Sequence, residues 1–144
     1  MKSSYLPVWG ATVFMLACGS AIQRSRSTSG GTAVIVLDDT TLAQLPGRTV
    51  LDAITLRMPQ VRTFLTTGGC PGVLLRGADR VIGASNPDVY IDHTHVLDTC
   101  PLAMLSAIDV QRIEIYPLGV TSRPGYDIAA HGLILIFTRG SRAN

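Results

Sequence analysis

The segment that most restricts the fold is Leu133-Ile134-Leu135-Ile136-Phe137, five consecutive apolar residues with no polar side. A strand with one wet face alternates apolar and polar residues. A run like this one reads instead as a strand buried on both faces, which requires a sheet covered on two sides. Ile113-Glu114-Ile115-Tyr116 does alternate, so it is expected to be a strand with its isoleucines in the core and Glu114 toward polar surroundings. Ala33–Leu37, Val73–Leu75 and Val89–Ile91 add short β-branched or apolar runs next to turn residues, and Gln60–Leu65 is a further short candidate.

Two helices fit between these runs. Thr49 with Asp52 three residues on has capping-box spacing, Val50, Leu51, Ile54 and Met58 share one helical face, and Pro59 ends the helix. Thr99 is placed to cap a second helix with Pro101 in its first turn and Leu102, Leu105 and Ile108 as the inward stripe. Asp92-His93-Thr94-His95 reads as a polar turn. The expected architecture is α+β: a compact domain with a mixed small sheet of about five short strands and two helices.

The chain has 144 residues, enough for one ordinary domain. Apolar residues make up 47% and charged residues 15%, which excludes a charged disordered protein. Twelve basic against ten acidic residues, scattered along the chain, is too weak a field to imply nucleic acid.

Part of the apolar excess is local. No charge falls between Lys2 and Arg24, and Tyr5–Ala17 is apolar behind a single basic residue, the layout of a secretory signal. Met15-Leu16-Ala17-Cys18-Gly19 resembles the lipobox of bacterial lipoproteins, with Met15 where Leu is usual. That reading makes 1–17 a signal peptide, Cys18 a lipidation site, 18–32 a flexible polar tether and 33–144 the folded domain. The competing reading is an uncleaved membrane helix. If Cys18 carries lipid, Cys70 and Cys100 remain as a disulfide pair in an oxidising compartment; two free thiols or metal ligands are the alternative.

Five blocks in order resemble the plug domain of TonB-dependent outer-membrane receptors. Val50-Leu51-Asp52-Ala53-Ile54 with Met58-Pro59-Gln60-Val61 is similar to "vlDaL…PGV", and Leu75-Arg76-Gly77 to "iRG". Val89-Tyr90-Ile91-Asp92 is similar to "lyviDG", Asp109–Ile115 to "dVerIEV", and Ala130–Gly140 to the closing "aNGVIlItTKkG". Gln60, His93 and the inverted Gly125-Tyr126 depart from the family pattern. In such receptors the plug closes a barrel, and its arginines and glutamates contact the barrel wall.

The resemblance therefore implies a cell-envelope setting in a Gram-negative-type bacterium, anchored to a membrane (the outer one favoured) and facing the periplasm. It implies Arg76, Arg112 and Glu114 as partner-contacting residues, the plainer reading being surface ion pairs worth little. The partner would be an outer-membrane barrel, another membrane protein or a larger membrane complex. With no barrel in this chain, transport by the chain alone is not expected, although Ala33–Leu37 offers a strand for β-augmentation.

Chemistry has one foothold. His93 and His95, with Asp92, Asp98 and Cys100 nearby, supply metal-ligand types at short spacing; two solvent-facing histidines in a polar turn are the alternative. Neither a Gly-x-Ser-x-Gly elbow nor a phosphate loop is present. The expected function is non-enzymatic: an interaction module without a cofactor, with small-ligand or metal capture and a bitopic accessory subunit as the other readings.

Overall fold

In the computed structural model, residues 34–75 and 86–141 are described; Cys18, Arg76 and Gly77, which carry sequence expectations, lie outside them. Among the described residues, seven strands and three α-helices run in the order β1 (Ile35–Leu37), α1 (Asp39–Leu42), α2 (Val50–Arg57), β2 (Arg62–Leu65), β3 (Pro71–Leu74), β4 (Asp88–Ile91), β5 (Thr94–Val96), α3 (Cys100–Met104), β6 (Val110–Tyr116) and β7 (Leu133–Thr138). A 3₁₀ turn over Ala107–Asp109 precedes β6.

Five strands form a mixed sheet in the order β1-β6-β7-β4-β5, and β2 with β3 forms a separate hairpin. Strand β7 is central, antiparallel to β6 and parallel to β4, with Glu114 opposite Leu135. All of Leu133–Phe137 is buried, as the unbroken apolar run requires.

Registers divide the sheet into two faces. Leu37, Val89, Ile113, Ile115, Ile134 and Ile136 pack with α2, α3 and the hairpin into the main core. Leu133, Leu135, Phe137 and Tyr116 project oppositely into a smaller cluster with Ala129, Tyr90 and Tyr126. The segment between β6 and β7 supplies Ala129 and Tyr126, so it covers the second face. Gly119 permits this: at φ +66 its position has no room for a Cβ, which would lie 1.6 Å from the Ala129 carbonyl oxygen.

Helix α2 has the capping box expected of it: Thr49 Oγ1 accepts from Asp52 N at 3.2 Å and Asp52 Oδ2 from Thr49 N at 3.0 Å. Its face of Val50, Ala53 and Ile54 is buried and Met58 closes it.

Four local readings are corrected. Helix α1 and strand β5 join the expected elements, because Asp38 caps α1 and Asp92-His93 turn β4 straight back on itself. Both turn residues have positive φ, 46° and 70°, the left-handed pair that a two-residue hairpin needs. Thr99 does not cap α3 with its side chain; Asp98 Oδ1 takes the Cys100 N–H at 2.9 Å, while the Thr99 hydroxyl turns inward to the Pro71 carbonyl. Ile108 is exposed, since α3 ends at Met104 and the 3₁₀ turn rotates it away from the core.

Cys70 and Cys100 are disulfide-bonded, with Cα atoms 4.7 Å apart. The bond ties the β2–β3 hairpin to the start of α3, alongside the Thr99–Pro71 hydrogen bond. Among the described residues no helix is long and apolar enough to cross a membrane.

Candidate functional site

Strand β6 contains an irregularity that sets up the site. Val110 pairs with Thr138 and Arg112 with Phe137, leaving Gln111 as the extra residue of a bulge. Strict alternation would put Val110 and Arg112 on one face. The bulge lets Val110 stay in the core while Arg112, Glu114 and Tyr116 share the second face.

The alternation in β6 led to a wet face being expected at Glu114, but Glu114 is only 1% exposed because the β6–β7 segment covers that face. A buried carboxylate without partners would be costly. Each of its oxygens accepts two donors. Arg112 Nε and Arg123 Nη2 reach Oε1, both at 2.6 Å. Tyr116 Oη reaches Oε2 at 2.8 Å and Arg123 Nε reaches it at 2.7 Å. Four donors exhaust the lone pairs of a carboxylate. The Arg123 guanidinium grips both oxygens and lies 5.3 Å from the centre of the Phe137 ring.

Burial pushes the Glu114 carboxyl up, but the hydrogen bonds from Arg123 and Tyr116 and the charges of both arginines outweigh it. Its pKa therefore ends below the ordinary glutamate range. The same bonds raise the Arg123 guanidinium. Tyr126 lies in the same cluster, and its hydroxyl is the one buried polar side-chain atom without a partner among the described residues. Burial pushes its phenol up.

Beside this cluster lies a cleft of about 320 Å³, lined by Asp38, Asp39, Gln111, Arg112, Arg123 and Phe137. The arginines remain 47% and 41% exposed, so the buried glutamate fixes two cations whose outer faces meet solvent. Asp39 of the lining pairs with Arg139. The arrangement can donate N–H groups to an anionic group and accept from a cationic one.

The sequence-derived residues thus separate. Arg112 and Glu114 are brought together, while Arg76 lies outside the described residues. Arg123 escaped the sequence reading because it belongs to no motif block. Its available signal was indirect: a glutamate inside an apolar strand needs a cation, and Arg123 is the only one between Leu118 and Gly132.

His93 and His95 take different places, His93 in the turn and His95 on β5. His93 stacks on Tyr126 at 6.1 Å and meets the Phe137 edge at 5.7 Å. His95 lies 4.8 Å from Tyr90 and 3.9 Å from Asp88. Among the described residues, the group with metal-ligand spacing is Cys70, Asp98 and Cys100, and its two sulfurs are bonded to each other.

Asp92 acts structurally. It accepts from Thr138 N at 2.8 Å and from Thr138 Oγ1 at 2.6 Å, fastening the hairpin turn to the end of β7. Burial raises its pKa, yet the bonds from Thr138 and Ser141 and the charge of His93 bring it below the ordinary value.

No protein-family model and no curated protein matches this chain. Among solved structures it is similar to the RagAB peptide importer in its open-open state, with a TM-score of 0.52 and 16% identity. The likeness covers 75% of this chain and 12% of that one. At this identity it is a likeness of fold: the α+β arrangement has a counterpart inside a much longer importer chain.

Proposed function

We propose that this protein is a non-enzymatic interaction module of the cell envelope, a plug-like domain that binds a membrane protein or a larger membrane complex. One observation carries the reading. The order of motifs that resembles a receptor plug belongs to a fold that has a counterpart within an importer. The half-exposed Arg112 and Arg123, held on the buried Glu114, supply a rigid charged contact. Such pre-organisation lowers the entropic cost of docking. Lipid at Cys18 and the polar tether after it would hold the domain at the outer membrane, facing the periplasm.

Crosslinking in native membranes from a photoreactive residue at Gln111, beside the arginines, tests the proposal. The expected product is a discrete adduct with a membrane protein, reduced in R112A. Recovery only as a free monomer after gentle solubilisation would overturn it. N-terminal mass analysis of the same material separates lipid on Cys18 from an uncut leader.

A further inference from the structure

The cleft beside Glu114 has a charge balance that a docking surface for one sign of charge would not need. Its lining carries two guanidinium groups, Arg112 and Arg123, and two carboxylates, Asp38 and Asp39. Behind these, Glu114 compensates the arginines and Arg139 compensates Asp39. A simple anion or cation entering the cleft meets like charge as well as unlike charge. A molecule carrying both charges meets each with its complement.

The two halves are fixed in place. Arg123 is bound through Nε and Nη2 and Arg112 through Nε, so Nη1 of Arg123 and both terminal nitrogens of Arg112 are left over from the Glu114 cluster. Asp38 accepts from Thr40 Oγ1, Thr41 N and Thr41 Oγ1, all through Oδ1. Its second oxygen is not used by these bonds. Phe137 adds an apolar surface to the lining. At about 320 Å³ the cleft has room for a ligand at the small end of the usual range.

We infer that this cleft is a binding site for a small zwitterion with an apolar part, of the class of a free α-amino acid. The carboxylate sits on Arg112 and Arg123, the ammonium on Asp38, and the side chain against Phe137. This goes beyond membrane-protein docking and does not rest on it: an isolated, partnerless chain would still show it.

Nuclear magnetic resonance titration of the full chain tests the inference with three probes: L-phenylalanine, N-acetyl-L-phenylalanine without the ammonium, and L-phenylalaninamide without the carboxylate. The expected result is saturable perturbation at Asp39, Gln111 and Phe137 by L-phenylalanine. Either blocked analogue should bind about tenfold more weakly, the loss of one charge-assisted pair. D38N, which keeps the helix cap, and R112Q should each weaken the zwitterion to a similar degree.

Equal binding of the acetyl compound would mean an anion site only, and equal binding of the amide a cation site only; each overturns the inference. So does the absence of saturable perturbation by L-phenylalanine at tens of millimolar, or binding that both substitutions leave unchanged. The three probes on the unaltered chain decide the matter even if a variant fails to fold.

Discussion

Glu114 shows how one carboxylate can organise a face. It sits on a strand whose neighbours are Leu133, Leu135 and Phe137, and it is tolerated there because four donors replace the water it lost. Truncating Arg123 removes two of the four and leaves the carboxylate buried on Arg112 and Tyr116 alone. R123A should therefore cost about 2 kcal/mol at neutral pH in urea unfolding, below the full figure for a broken buried pair because the arginine is half-exposed.

The pH dependence of that cost has a definite sign. Glu114 has a depressed folded-state pKa, so its contribution is present above the ordinary glutamate value of about 4.3 and is lost as pH falls through the folded value. The R123A deficit should be full at pH 7 and shrink on acidification. A deficit independent of pH would mean that Arg123 acts through packing on Phe137 alone.

Among the elements, the β2–β3 hairpin depends most on cross-links. It forms its own two-stranded sheet, and strand β2 is largely exposed. Gly72 lies so close under Phe64 that a Cβ would come to 2.2 Å from its ring, so the hairpin packs ring on backbone. Disulfide Cys70–Cys100 closes 30 residues of sequence separation and fastens this hairpin to α3. Replacing both cysteines with serine should lower stability by roughly 3–4 kcal/mol on the chain-entropy model. Equilibrium unfolding checks this, with the reduced unaltered chain expected to match the double variant.

On the scale of the molecule, the carboxylates act together. Asp52 is held below the ordinary value by the Thr49 backbone and hydroxyl. Asp38 is lowered to about 2, mainly by the Thr41 hydroxyl and amide. Asp92 and Glu114 shift the same way for the reasons given above. Each depressed group stabilises the fold above its ordinary pKa and stops doing so as it is protonated. The melting temperature should hold steady from pH 7 to about 5 and fall progressively below about 4. A melting temperature unchanged down to pH 3 would contradict the shared cause.

Local patterns made much of this fold legible. The doubly buried β7, the alternation of Ile113, Glu114 and Ile115, and the reciprocal Thr49–Asp52 cap all arise within a few residues, where periodicity and hydrogen-bond reach are set by neighbours in sequence. The polar turn at Asp92-His93 was legible but strand β5 after it was not, because Asp92 and His93 close a two-residue hairpin in left-handed backbone without glycine, supported by Thr138 from 46 residues away. The site was hidden for the same reason. Arg123 meets Glu114 only because the segment after β6 folds back over the sheet, and Asp38 joins the cleft only because β1 lies beside β6. Which ions share a cleft is a property of chain topology: contacts between residues distant in sequence leave no period or spacing for a linear reading to detect.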